Sequence, residues 1–532
     1  MTRDLAVARE SDIGGPPWSG TEAGATPWRA YGVVAVFTAA ALLLRLYQLT
    51  RPGYLLGVTE YDDGVLFGNA VRLVDGVVPY RDFAMVQPPG SMLLMAPAAL
   101  IAKVTGTAWG LGLARILTVC ADTACVALLG LLVRHRGALA TGIACGIYAV
   151  YPNVLIASHT FLLEPWLNLF CLTAAVLVFD RDQLAGNRRL AIGGAVFGYA
   201  IAIKLWAVFP LLLIGLLLAR TPRRLALLAA GALAGLSIPV LPFLMLAPHG
   251  LITGAVTSQF VRSSGPHTLL PRLADMAGLS VFPSIPEHTK VALLIVLAAY
   301  LVIGYVMVIA MGGGLPRLLD WYALIGTAAI VAMFLLPQGY YPHYAAFAVP
   351  FFALAVALPV GQLRLAGDGR QLIAGSALAL VAAVLIGVVG VRQIQAESQL
   401  KEWQHPAGAA HRLIPAGSCV LTNDPALSIV SNRFVPAHPG CPPVVDSYGT
   451  LMVMTSGRTQ DADPRALRAV ELTWQAWFAQ ADYFWLEPGS SGQIPWSPGL
   501  YSYFMRHFRL IGLKSSYLPS PGVPHAGLYK HR

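Results

Sequence analysis

The chain has 532 residues, 56% of them hydrophobic and only 12% charged, with a formal net charge of +10 and a mean hydropathy of +0.63. A soluble protein of this length carries about twice that charged fraction, so the composition excludes a soluble globular enzyme and points to a polytopic membrane protein. Much of the Lys and Arg falls in short loops between apolar runs, where the cytoplasmic-side bias of membrane proteins accounts for it, and no nucleic-acid partner is expected.

Residues 1–29 form a polar, Gly/Pro/Ser-bearing segment read as cytoplasmic. The first apolar run begins near Arg29 and lacks a small-residue cleavage site, so it reads as a retained span and not a signal peptide. Apolar runs predict spans near 30–49, 109–133, 138–157, 161–179, 190–203, 205–219, 225–247, 289–311, 321–337, 343–360 and 371–391, about eleven in all. The segment 88–105 begins Pro88-Pro89-Gly90 and contains Pro97 and Lys103; it reads as interfacial or re-entrant. With that reading and a cytoplasmic N-terminus, "RHR" (134–136), "NRR" (187–189), "RTPRR" (220–224), Arg317 and "RLAGDGR" (364–370) all fall inside. Residues 50–108, 158–165, 248–288 and everything after about 392 then face outward.

The tail, 392–532, reads as a small extracytoplasmic α/β domain behind a transmembrane module of residues 30–391. "SCVLTND" (418–424), "DYFWLE" (482–487) and "FRLIGL" (508–513) are strand-like. "PRALRAVELTWQAWFAQA" (464–481) has helical spacing behind a proline start. Cys120, Cys125, Cys145 and Cys171 lie in apolar runs as small core residues, while Cys419 and Cys441 could pair if the tail faces an oxidising compartment.

The chemistry concentrates in "TEYDDG" (59–64), which places Glu60, Asp62 and Asp63 just after the first span. On a helix from Asp62 to Val77, Leu66, Phe67, Ala70, Val71 and Val74 share one face, while Asp62, Asn69, Arg72 and Asp75 share the other. That is the pattern of a helix lying on the membrane surface, apolar side down. One Asp could simply cap it, but a cap does not explain three clustered acids.

The acidic pair, this helix, "DGVVPYRDF" (75–83) and "QPPG" (87–90) together resemble the first extracytoplasmic loop of GT-C fold glycosyltransferases. The nearest type is that shared by protein O-mannosyltransferases, aminoarabinose transferases and actinobacterial enzymes using polyprenyl-phosphate sugars. "SHTFLLEPWLNLFCL" (158–172), "GYAIAIKLWAVFPLLL" (198–213) and "YYPHYAAFAVPFFAL" (340–354) continue the resemblance in the expected order. The family often has Asp-Glu where this chain has Asp62-Asp63, and an aromatic residue where Leu66 stands.

The resemblance implies a GT-C module on the plasma membrane with an outward-facing site, moving a sugar from a polyprenyl-phosphate donor to a glycan, lipoglycan or protein acceptor. Mannose or arabinose is the expected sugar. Asp62 would be the base that takes the acceptor proton, with Asp63 orienting the acceptor or tuning Asp62. Negative charge on the departing lipid phosphate needs fixed cations; Arg72, Arg81, Lys204, Arg262 and His343 are the candidates. Lys204 can also be read as a snorkelling residue, and the loop arginines as solvated charges. Glu60, Glu164, Tyr341 and Tyr344 would contact substrate, although tyrosines at a span end also serve as an interfacial belt. The acids could bind a divalent cation, but no cage of oxygen ligands is visible, so no cofactor is expected. Two other classes remain open: a transporter or lipid flippase, and a catalytically silent glycan-binding scaffold. A transporter favours inverted repeats and charge near the midplane, whereas here the charges gather at one boundary.

Overall fold

A computed structural model describes residues 27–261, 268–336, 339–365, 369–398, 407–458, 462–488 and 493–532. The chain is mostly helical: α1 (Pro27–Leu49), α2 (Tyr61–Val74), α3 (Gly90–Thr105), α4 (Thr107–Val133), α5 (Ala138–Val150), α6 (Pro152–Ser158), α7 (Leu163–Val178), α8 (Asn187–Ile203), α9 (Val208–Leu217) and α10 (Pro222–Leu246). Long helices follow at Glu287–Ala310, Leu318–Leu335, Val349–Leu365 and Gly369–Ser398. Among the described residues, six helices are long and apolar enough to cross a bilayer, or seven if the bent pair α5–α6 is one span. The other predicted runs fall on helices too short for that criterion, so length and composition alone qualify fewer than eleven. The break between α8 and α9 has a clear cause: Lys204 is extended (φ −154°, ψ 133°) and interrupts the helical hydrogen bonding. Little of the helix Glu287–Ala310 is buried, and exposed residues such as Val302, Val306, Leu233 and Ile238 are apolar. Such a surface suits lipid and not water, and the protein is a multi-pass membrane protein.

Two features hold the helices in place. α8 and α10 meet through Gly194 and Gly198 on one side and Gly231 and Gly235 on the other. A Cβ at any of the four would sit on a carbonyl oxygen of the facing helix. Small residues four apart allow this backbone approach, the means by which spans pack where lipid and side chain are equally apolar. At the far ends of α4 and α7 from the acidic stretch, Arg136 bonds Asp182 (2.7 Å) and Asp320 (2.8 Å), while Arg317 (2.6 Å) and His135 (2.9 Å) also reach Asp182. This network closes that end of the helix bundle around a short hairpin of β1 (Phe179–Asp180) and β2 (Gln183–Leu184).

Residues 407–532 build a four-stranded sheet in the order β3-β4-β6-β5, from β3 (Val420–Thr422), β4 (Tyr483–Leu486), β5 (Phe508–Gly512) and β6 (Gly527–His531). β3 and β4 run parallel and the other pairs antiparallel. The helix Pro464–Gln480 buries Val470, Trp474 and Phe478 against Phe484, Phe504 and Phe508. Cys419 and Cys441 are joined in a disulfide.

The C-terminal sheet unit changes the reading of α2. The sequence pattern places this helix on the membrane surface with a solvated polar face. Instead every residue from Asp63 to Arg72 is buried. One side lies on α3 and α4, and the other is covered by the helix Pro425–Val430. Gly64 and Gly68 make the fit: a Cβ at Gly64 would strike the Ala426 backbone, and one at Gly68 would crowd Val445 and Phe434. The apolar periodicity reports one buried face correctly but cannot show that a distant segment covers the polar one.

Substituting Gly235 by Val should force α8 and α10 apart and destabilise the fold by about 1–3 kcal/mol or more. Thermal unfolding of the purified variant in detergent checks this; an unchanged midpoint would contradict the close packing.

Candidate active site

The first turn of α2 organises the site. Glu60 is the N-cap residue, extended and with no side-chain capping bond. Tyr61, Asp62 and Asp63 are the first three helical residues, so neither aspartate is the cap. Acids in a first turn are favoured there by the helix dipole.

Asp63 is fully buried. Its Oδ2 accepts from Arg115 Nη2 (2.5 Å) and Nε (3.1 Å), from Thr59 Oγ1 (3.0 Å) and from the Thr160 hydroxyl. Arg115 Nη1 meanwhile donates to the carbonyls of Tyr54 (2.9 Å), Leu55 (2.8 Å) and Gly57 (3.0 Å). One guanidinium thus fastens both the loop before α2 and its first turn. Asp62 is half-exposed, and no hydrogen bond or ion pair holds its carboxylate among the described residues. The two adjacent acids are therefore unlike: one is engaged by four donors, the other is available.

A second group adjoins. Lys204 Nζ lies 2.6 Å from Glu164 Oε1, both side chains buried. The same ammonium sits 3.5 Å from the Trp206 ring centre and 4.3 Å from that of Tyr344. Pairing and cation–π contact offset the cost of holding a lysine in an apolar setting. The buried His343 ring stacks on Tyr341 (5.8 Å) and meets Tyr344 edge-on (4.8 Å), and His343 lies within electrostatic reach of Glu164. "QPPG" contributes here too: Gly90 packs against the backbone of Ala202 and Ile203, just before Lys204, where a Cβ would clash.

Glu60 joins the two groups. Burial first, then the charges of Asp62, Asp63 and Glu164, push its carboxyl up to about 7. From the C-terminal unit comes Asp424, N-cap of the helix Pro425–Val430, which accepts from Ala426 N at 2.9 Å. Burial chiefly raises its carboxyl well above the usual range, and Glu487, Asp63 and Glu60 push it further. The C-terminal unit therefore borders the acidic cluster.

Other sequence candidates lie elsewhere. Arg72 is ten residues along α2 from Asp62, about 15 Å at 1.5 Å per residue, and its guanidinium lies 4.5 Å from the Phe434 ring centre. Arg81 is exposed and chelated by its neighbour Asp82 at 2.8 and 2.9 Å. Arg262 lies outside the described residues. Among the described residues no group of three His, Cys, Asp or Glu side chains is arranged to hold a metal ion. Sequence reasoning missed Arg115, Thr160, Asp424 and Trp206. Arg115 did carry a signal: an arginine inside an apolar run needs a partner.

Replacing Arg115 by Met should leave Asp63 buried without its cation and cost about 3–5 kcal/mol, with the double replacement Asp63→Leu/Arg115→Met recovering much of it. Equal midpoints for all three proteins in thermal unfolding would refute the pairing. Glu60 gives a pH-dependent expectation. Its folded pKa lies above the ordinary value, so the folded chain holds a proton that the unfolded chain releases, and the related stability fades as pH rises from about 4.5 through 7. Glu60→Gln should therefore raise the unfolding midpoint at about pH 8 and leave it unchanged near pH 4; the reverse order would contradict the burial of this carboxyl.

Neither a protein-family model nor a curated protein matches the chain. Solved structures do. ArnT from Cupriavidus metallidurans in the apo state is 16% identical, covers 84% of this chain and 95% of its own, and superposes with a TM-score of 0.51. The same ArnT bound to undecaprenyl phosphate is 15% identical over 76% of this chain and 86% of its own, with a TM-score of 0.48. The archaeal oligosaccharyltransferase AglB from Archaeoglobus fulgidus, in complex with an inhibitory peptide and a dolichol-phosphate, is 13% identical over 92% and 80%, with a TM-score of 0.46. At such identities the likeness is one of fold: the chain shares the architecture of apo ArnT.

Proposed function

We propose that the protein is an integral membrane glycosyltransferase that moves a sugar from a polyprenyl-phosphate donor to an acceptor on the extracytoplasmic side. The observation that carries this reading is that the available carboxylate of Asp62 and Glu164 of the buried Lys204–Glu164–His343 group both lie within electrostatic reach of Glu60. The donor class follows from the sequence resemblance, and the fold shared with apo ArnT agrees with it.

In the proposed reaction, the acceptor hydroxyl gives its proton to Asp62 as its oxygen bonds to the anomeric carbon. The bond from that carbon to the phosphate oxygen breaks, and the lipid phosphate leaves with its negative charge. Lys204 meets that charge, held in place by Glu164 and by the Trp206 and Tyr344 rings, with His343 as a second donor. Asp63 acts through Arg115 to orient the turn. Tyr341, 39% exposed beside His343, offers a ring face for a sugar. Mannose or arabinose is the proposed sugar and a cell-envelope glycan, lipoglycan or protein the acceptor. The proposed topology has eleven crossings and a cytoplasmic N-terminus. The Cys419–Cys441 disulfide supports an oxidising location for the C-terminal unit.

Membranes incubated with labelled polyprenyl-phosphate sugars should transfer label to an endogenous acceptor. Asp62→Asn should lower the rate about 10²–10⁴-fold with normal expression and insertion. Lys204→Met should lower it about 10²–10³-fold. Full activity of the Asp62→Asn protein, or lipid flux into proteoliposomes without any glycan product, would contradict the proposal.

A further inference from the structure

Successive residues on an α-helix point about 100° apart. In the first turn of α2, Tyr61 and Asp63 therefore flank Asp62 on either side, and both are anchored. Asp63 is held by Arg115, as described. Tyr61 donates its phenol hydroxyl to Asp446 Oδ1 at 2.7 Å, and Asp446 belongs to the C-terminal unit, 385 residues away. Asp446 is itself fixed: it is buried, and the same Oδ1 caps the helix Ser447–Met454 by accepting from Gly449 N at 2.6 Å. With a neighbour anchored on each side, the backbone of this turn is held, and with it the direction in which the Asp62 side chain leaves the helix.

The contact is part of a longer seam. Ala426 packs on Gly64 without room for a side chain, and Phe434 lies against Gly68 and the Arg72 guanidinium. Asn432 Oδ1 accepts from Ala108 N at 2.9 Å, satisfying a free amide in the first turn of α4, while Thr107 Oγ1 donates to the Ile429 carbonyl at 2.6 Å. The C-terminal unit thus grips the whole of α2 and the start of α4, the helix that carries Arg115.

We propose that Asp446 is a positioning residue for sugar transfer: through its hydrogen bond to Tyr61 it sets the direction of Asp62, so the C-terminal unit governs turnover as well as any capture of acceptor. This rests on the reading of Asp62 as the base. A base displaced by a fraction of an ångström still permits both substrates to bind but meets the acceptor proton at a poorer angle, which lowers kcat while leaving KM nearly unchanged.

The full-length protein in detergent or nanodiscs tests this with a labelled polyprenyl-phosphate sugar and its acceptor. Tyr61→Phe removes one hydroxyl and should lower kcat about 10- to 100-fold, with both KM values within about twofold of the parent. Asp446→Asn keeps an Oδ1 acceptor for both Tyr61 and Gly449 and should retain near-parental kcat, whereas Asp446→Ala should lose it. Parental kcat in Tyr61→Phe, or a change confined to acceptor KM, would overturn the proposal. Were Tyr61→Phe not to fold, the Asp446 pair decides: loss in Ala with retention in Asn supports the proposal, and equal loss in both overturns it. Asp62→Asn, assayed alongside, separates the two levels. An active Asp62→Asn protein defeats the base assignment, while a dead one beside a normal Tyr61→Phe protein defeats only the role of Asp446.

Discussion

The buried contact between Arg115 and Asp63 is the constraint on which the rest of the site depends. Taking a guanidinium and a carboxylate out of water is costly, and the attraction between them repays that only if their remaining donors and lone pairs are also used. Here they largely are: three loop carbonyls take one end of Arg115, and two threonine hydroxyls join it on Asp63. The consequence is geometric. A loop after the first helix, which would otherwise be free to move over the membrane surface, is fastened to α4, and the helix that begins there has a fixed origin.

α7 plays the same part for the second half of the site. Glu164 in its first turn meets Lys204, and Asn168, one turn further, donates to the Ala346 carbonyl at 2.9 Å. That carbonyl lies in the turn Pro342–Phe347, which carries His343 and Tyr344. Asn168 also donates to the Tyr148 hydroxyl, which in turn donates to Asp122, the partner of Arg45 at 2.5 Å. Polar groups that look misplaced within apolar helices thus form a chain from α1 through α4, α5 and α7 to the turn beside Lys204. Each would be expensive alone in hydrocarbon; joined, they fix where the aromatic turn sits.

Much of this is legible in the amino-acid sequence. Long apolar runs locate the helices, since their periodicity and length are local properties. The acids of 59–64 stand out because charge is sparse in this chain, and Lys204 because it splits an apolar stretch. Three strands of the C-terminal sheet are readable from β-branched and aromatic runs, whereas β6 ("GLYKH") lacks that pattern and is paired on both sides, by β4 and β5. What stays hidden is long-range. Asp63 and Arg115 are 52 residues apart, and Tyr61 and Asp446 are 385 apart. Asp62 and Asp63 are chemically alike in the sequence and differ only through these distant partners. Gly64 and Gly68 read as small helical residues until the segment they seat is known.

The most direct test is a structure of the protein with a non-transferable polyprenyl-phosphate sugar analogue. The account predicts the phosphate within about 3–4 Å of Lys204 and the anomeric carbon facing Asp62, with the Arg115–Asp63 contact intact. A phosphate seated at the far end of α2 by Arg72 and Arg81, or beside Arg136 at the opposite end of α4, would contradict it.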